Sequence, residues 1–287
     1  MPVTQRKASG ARRPQPFPPA VEPVSRLLKL HRLLRNHLPG NWRAAEASVD
    51  DNGRLGLLAC LPAEVSVPQF RSLLSAAGLA GPRCVQAAQV HGIRCWRHNV
   101  RICEDGRLGL YIERDFSPAL LLHILHLCGA EDRLAEVALT CCSASVFKFW
   151  AVGVEWGPNG AARCRFYLVA PSPAREQWPA LMAWVRAWFP WLSKDQVTLL
   201  GRLLRVPRRA CLLNLQSHDG YVAVKVEVPE VPVRSLRSIL HTDDRPTEFR
   251  QLVTRWRVRR FRHLGVRFFP NGGWEPLYYI PWPSTER

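Results

Sequence analysis

The chain contains no apolar run near the roughly 18 residues that a membrane-spanning helix requires, so a helical integral membrane protein is not expected. Its nine cysteines, at 60, 84, 95, 103, 128, 141, 142, 164 and 211, include no CxxC pair, which argues against zinc-ribbon and thioredoxin-like chemistry. There is no GxSxG sequence, no P-loop and no dinucleotide-binding glycine fingerprint. The basic N-terminus lacks the apolar stretch of a secretory signal, so a cytoplasmic setting is expected, with the cysteines as buried, reduced thiols. Lysine is scarce: five of the 40 cations are Lys and the other 35 are Arg.

What is present is an apolar content of 47%, enough for a substantial core, in 287 residues with a net charge of +17. That excludes a wholly disordered chain and suits one large domain or two ordinary ones. Arginine is the planar, bidentate partner of phosphate and carboxylate, so nucleic acid, a diphosphate or an acidic peptide are the candidate partners. A GC-rich coding bias would produce many of the same arginines on an ordinary surface.

Residues 1–24 are basic and proline-rich with almost no apolar pattern, and they read as a disordered tail before a single ordered domain over 25–287. Ser25 is the expected N-cap of a first helix, in which Leu27, Leu30, Leu34 and Leu38 form an apolar stripe. The other face, with Arg26, Lys29, Arg32 and Arg35, is expected to meet solvent.

Beyond it one pattern recurs five times: two alternating runs joined by a turn cluster. The runs are 43–49 with 55–61, 95–103 with 107–114, 149–156 with 161–170, 210–216 with 221–228, and 261–269 with 275–280. Every turn contains Asn-Gly or Asp-Gly, residues that accept the positive φ of tight hairpins. Helices are expected near 68–78, 118–128, 173–189 and after Val233. Ten antiparallel strands interleaved with helices make an α+β protein whose sheet is covered on one face.

The alternation assigns the two faces. Cys164, Phe166 and Leu168 lie opposite Arg163, Arg165 and Tyr167; Leu108, Leu110 and Ile112 lie opposite Arg107, Tyr111 and Glu113; Val222, Val224 and Val226 lie opposite Tyr221, Lys225 and Glu227. In the strand before these, Arg97, Asn99 and Arg101 lie opposite Trp96, Val100 and Ile102. An open sheet with a solvated polar face satisfies this pattern as well as a closed barrel does.

Five segments stand out in order and spacing: Arg35-Asn36-His37 in the first helix, Ala45-Glu46-Ala47-Ser48 in the first strand, Val152-Gly153-Val154-Glu155-Trp156 through Asn159-Gly160 to Phe166-Tyr167, Trp188-Phe189-Pro190, and Val266-Arg267-Phe268-Phe269. In these the chain resembles the ABBA prenyltransferases, and among them the cyanobactin-type peptide prenyltransferases. The resemblance covers most of residues 25–270 at low identity and rests on order and spacing. It implies a ten-stranded antiparallel β-barrel (the PT barrel) built from five helix-flanked hairpins, with helices outside and a solvent-filled lumen.

The implied reaction moves a prenyl group from dimethylallyl or geranyl diphosphate to a side chain of a cyclic ribosomal peptide. Mg²⁺ would be held through the diphosphate, with no metal ligands from the protein. Glu46 matches the glutamate expected to orient the acceptor and take its proton. Arg107, Arg163, Arg165, Lys225 and Arg267 are the diphosphate candidates, and Tyr167, Tyr111 and Tyr221 the candidates for shielding the allyl cation. The chain departs from the family at 55–61, which lacks the usual cation, at Tyr111, where the family has Arg, and at Cys211-Leu212, where a bulky aromatic stands.

Two other functions remain open: an aromatic small-molecule prenyltransferase on the same barrel, and a basic nucleic-acid-binding protein. For the last, Arg255-Trp256-Arg257-Val258-Arg259-Arg260 is the best patch, although it reads more simply as a solvated helix end. Glu113 and Glu227 join Glu46 on the polar face, and the acceptor residue is left open. His123 and His126 lie among leucines and read as core or boundary residues rather than metal ligands.

Overall fold

A computed structural model of the chain describes residues 22–283, except 39–41, 62–64, 79–87, 94, 129–133, 135, 137–139, 141–147, 158–162, 170–177, 206–211 and 219–220. Most of the expected tail thus lies outside the described residues. The strands are β1 (Arg43–Asp50), β2 (Leu55–Leu61), β3 (Arg97–Cys103), β4 (Leu108–Glu113), β5 (Lys148–Trp156), β6 (Arg163–Val169), β7 (Leu212–His218), β8 (Tyr221–Pro229), β9 (His263–Phe268) and β10 (Trp274–Pro281). Each consecutive pair is antiparallel, and β1 pairs with β10 through Glu46–Pro281 to Asp50–Leu277, which closes the barrel.

Closure gives the period-2 alternation its meaning. Leu57, Val100, Leu110, Val154, Phe166, Leu215, Val224, Val266 and Ile280 point outward and are buried under the helices. Each such side chain contributes roughly 1.5–3 kcal/mol when removed from water. The intervening polar residues face the lumen. The β1–β2, β3–β4 and β9–β10 turns fall at one end of the barrel, and Gly53, Gly106 and Gly272 have positive φ there. Asp50 holds the first turn by accepting hydrogen bonds from the backbone N–H of Asn52 (3.0 Å) and Arg54 (2.9 Å).

The helices are α1 (Pro23–His37), α2 (Val67–Ala76), α3 (Pro118–Cys128), α4 (Trp178–Trp188), α5 (Lys194–Arg205), α6 (Leu236–Leu240) and α7 (Thr247–Arg255). Helix α1 starts two residues before the expected Ser25 cap. Glu22 occupies the cap position and proline the first turn, where its missing N–H costs nothing. Its basic face is not wholly solvated either: Arg26 donates to Glu104 (2.9 Å) and Glu248 (3.1 Å), tying α1 to the β3–β4 turn and to α7.

Helix α5 was not anticipated, although its signal is in the sequence. Ser193 and Gln196 form a reciprocal capping box, and Gln196 also donates to the carbonyls of Phe269 (2.8 Å) and Gly273 (2.7 Å) at the β9–β10 turn. Trp96, assigned above to the apolar face of the second hairpin, precedes β3 and is 63% exposed. Among the described cysteines, Cys103 and Cys164 are buried and Cys60 and Cys95 partly so, all as thiols; burial pushes the Cys103 thiol up to about 12. His123 and His126 are exposed on α3, not in the core.

Candidate active site

Two cavities lie in the lumen among the described residues. The larger, about 590 Å³, lies at the turn end and is lined by Arg54, Arg101, Arg107, Arg163, Arg165, Lys225 and Arg267, together with Asp50, Asp105, Glu155 and Glu275. The smaller, about 120 Å³, lies toward the helix end and is lined by Glu46, Glu113, Glu227, Arg97, Arg101, Arg262, His263, Tyr111 and Tyr167, with Leu58 and Ala151 as apolar wall. All five cations singled out from the sequence therefore meet in one cavity, and Glu46 lies in the other.

Strand pairing produces the cation cluster. Lys225 on β8 stands opposite Arg267 on β9, and Arg165 on β6 is paired with Gly153 on β5, two residues from Glu155. Glu155 accepts from Arg165 at 2.7 Å and lies 3.7 Å from Arg107. Burial disfavours its charge, yet these two arginines win and hold its carboxyl below the usual range. Arg165 is likewise buried, and Glu155 and the surrounding tyrosines keep it firmly protonated. Burial and the neighbouring Arg165 lower Arg267, which is tied to Glu275 at 2.5 Å.

These pairs leave donors unused. The Nε atoms of Arg101, Arg165 and Arg267 are buried without a hydrogen-bond partner. An orphaned buried donor costs roughly 1–3 kcal/mol, more on a charged group, and the three arginines that carry them all line the larger cavity. Their planar guanidinium forks suit an anion with several acceptor oxygens.

Tyr111 and Tyr167 line the smaller cavity, and with Tyr279 they surround Arg101. Tyr111 and Tyr167 meet edge to face at 5.8 Å, and the Arg101 guanidinium lies 5.6 Å from the Tyr111 ring centre and 4.8 Å from that of Tyr279. Gly153, directly across from Tyr111, makes room for that ring: a Cβ there would come 2.7 Å from Tyr111 Cδ1. Burial raises all three phenols above their ordinary range, so their hydroxyls stay protonated. Tyr221 begins β8 in register with His218; its side chain lies outside the described residues.

Glu46 follows a bulge in β1 between Ala44 and Glu46, the kind of irregularity that re-aims a side chain. Its Oε1 accepts from Arg101 Nη2 at 3.0 Å, while Oε2 lies 3.4 Å from Arg262 Nε and 3.8 Å from His263 Nδ1.

Arg101, Glu155 and Tyr279 were not among the site residues chosen from sequence. Arg101 and Glu155 sat in stretches already read as strand, without a signal to rank them above their neighbours. Tyr279 is one of two adjacent tyrosines, and only the barrel shows that Tyr278 turns outward onto Phe249 while Tyr279 turns in.

Among the described residues no group of three or more His, Cys, Asp and Glu is placed to hold a metal ion. The mouth carboxylates Asp50, Asp105 and Glu155 are each engaged by arginine, so these residues do not fit a protein-held Mg²⁺. The expected nucleic-acid patch is also weakened, because Trp256 packs edge to face on Trp282 at 5.4 Å rather than standing free to stack on a base. No described helix is long and apolar enough to cross a membrane.

No protein-family model and no curated protein matches the sequence. Solved structures do match in shape. A 6-dimethylallyltryptophan synthase from Micromonospora olivasterospora, in complex with DMASPP and Trp, superposes with a TM-score of 0.58 at 13% identity, over 83% of this chain and 81% of that one. The 5-dimethylallyl tryptophan synthase from Streptomyces coelicolor, also with DMASPP and Trp, gives 0.56 at 9% identity over 92% of both chains. AnaPT from Neosartorya fischeri gives 0.52 at 9% identity over 83% of this chain and 78% of that one. In architecture, strand order and closure, the chain therefore has the ABBA prenyltransferase-barrel fold.

Proposed function

We propose that the protein is a cytosolic prenyltransferase that moves a dimethylallyl or geranyl group from its diphosphate to an acceptor side chain. The observation that carries this reading is the cavity of seven cations with three orphaned guanidinium donors, set against a wall of tyrosines and backed by a buried glutamate. The fold likeness to dimethylallyltryptophan synthases supports it.

In this reading Arg107, Arg163, Arg165, Lys225 and Arg267 bind the diphosphate. As the allylic C–O bond breaks, the electron pair leaves with the diphosphate, and these fixed cations offset the growing negative charge. The allyl cation faces Tyr111 and Tyr167, with Tyr221 as a further candidate; their rings stabilise positive charge and exclude water. An acceptor atom attacks the allylic carbon, and its proton passes to the Glu46 carboxylate. Mg²⁺ would arrive with the diphosphate and share in neutralising it.

For the acceptor we favour a side chain of a peptide, cyclic in the first instance. The Glu46 cavity is small and opens between the half-exposed Arg97 and Arg262, which suits entry of one reacting group with the rest of the molecule outside. Free tryptophan is the second reading, favoured by the Trp bound in two of the similar structures.

The test is incubation with dimethylallyl or geranyl diphosphate, Mg²⁺, and a panel of free tryptophan and cyclic peptides bearing Tyr, Trp, Ser, Thr, His and Arg, read by mass. A gain of one prenyl unit on a peptide supports the first reading and on tryptophan alone the second. No transfer from either donor overturns both.

A further inference from the structure

Glu46 presents a difficulty for its proposed role. Its Oε1 is already taken, accepting from Arg101 Nη2 at 3.0 Å, so an incoming acceptor must compete with that hydrogen bond. The residue holding it, Arg101, is also the one side chain lining both described cavities. It is buried, it keeps an unpartnered Nε, and it lies 4.8 Å from the ring centre of Tyr279. Its fork thus has one arm on the acceptor-side carboxylate and spare donors beside the anion cavity.

We infer that Arg101 is a positioning residue that couples the two cavities: an anion in the turn-end cavity draws its guanidinium away from Glu46 and so frees that carboxylate to accept a proton. This rests on the diphosphate reading of the larger cavity. Planarity and five fixed donors let one guanidinium serve two anionic partners in competition. Reciprocity then demands that whatever loosens Arg101 from Glu46 tightens anion binding. The donor would therefore free the Glu46 oxygen before the acceptor enters.

The coupling can be read without catalysis, by titrating inorganic pyrophosphate into the full chain by calorimetry. Wild type, Glu46→Gln, Arg101→Met and the double variant form a cycle. Glu46→Gln releases Arg101 and is expected to bind pyrophosphate about 5- to 50-fold more tightly than wild type. In the Arg101→Met background the same change is expected to bring less than a twofold gain. Arg101→Lys, which keeps the charge but loses the fork, serves in the same cycle should the methionine variant fail to melt as a folded protein.

Equal affinity of Glu46→Gln and wild type overturns the coupling. An equal gain in the Arg101 backgrounds also overturns it, since that is through-space repulsion from Glu46 alone. If wild type does not bind pyrophosphate at all, the diphosphate reading itself fails and the coupling with it.

Discussion

The Lys225 ammonium donates a 2.7 Å hydrogen bond to the Tyr279 hydroxyl, which in turn donates to Glu227 at 3.1 Å, and Lys225 also pairs directly with Glu227. The three groups are buried, with Lys225 lining the anion cavity and Glu227 the acceptor cavity. Burial, and after it the repulsion of Arg165 and Arg267, brings Lys225 down to about 8 despite the attraction of Glu227. Burial disfavours the Glu227 charge, but Lys225 together with His263 and Arg101 outweighs it and holds that carboxyl below its ordinary range.

Pyrophosphate affinity should therefore fall as pH rises through about 8, where Lys225 loses its charge. Calorimetry from pH 7 to 9.5 should show a steeper fall for wild type than for Lys225→Met, which shares the ligand's own ionisation. Parallel profiles would remove Lys225 from the anion site. The effect on stability has the opposite sign. Between about 8 and the ordinary lysine value of 10.5, the unfolded chain holds more protons than the folded one, so Lys225 adds stability as pH rises across that window. Glu227 acts at the acid end: its contribution is complete above its ordinary value of 4.5 and is lost as pH falls below it.

Glu46→Gln should lower turnover by about 10²–10⁴-fold, the usual scale for a general base. It should also lower the thermal midpoint, because the buried Arg101 loses its carboxylate partner, so turnover is compared below the variant's own unfolding transition. Wild-type turnover in this variant would remove the assigned role.

Arg165→Met should weaken pyrophosphate binding by at least about tenfold, on the scale of losing a buried hydrogen-bonded charge. It should also destabilise the fold by about 3–5 kcal/mol, because Glu155 is left buried without its nearest partner. Chemical denaturation of Arg165→Met and of the paired Arg165→Met/Glu155→Gln separates these effects: the second change should restore stability but not pyrophosphate affinity.

Gly153→Ala places a methyl group 2.7 Å from Tyr111 Cδ1 and must displace that ring. Overpacking of this kind costs about 1–3 kcal/mol. Turnover should fall further than the loss of stability explains, with more donor hydrolysed per prenyl transferred, since Tyr111 is part of the cation's shield. Unchanged partition between transfer and hydrolysis would place Tyr111 outside it.

Chelation should separate the cation cluster from Mg²⁺. In excess EDTA, pyrophosphate should still bind within about tenfold of its affinity with Mg²⁺, because Arg and Lys supply the charge and the mouth carboxylates are already engaged. Complete loss of binding in EDTA would mean that the metal, rather than the guanidinium set, holds the anion.

The chain's local chemistry determined much of this by itself. Asp50-Asp51-Asn52-Gly53 and the later Asn-Gly and Asp-Gly turns specify hairpins, because glycine takes the positive φ of such turns without steric cost, as Gly53, Gly106 and Gly272 do. Alternation separates Phe166 from Arg165 and Val224 from Lys225, because successive strand side chains point to opposite faces. That was enough to gather five cations on one polar face before their cavity was visible. Alternation is silent on curvature, however. Whether the polar face met water or enclosed a lumen depended on β1 pairing with β10, a contact between the ends of the sequence that no local pattern encodes. The same closure turned Tyr279 rather than Tyr278 inward, set Glu155 between Arg107 and Arg165, and placed Arg101 between two cavities. Those choices arise from register across strands distant in sequence, and only the folded barrel could make them.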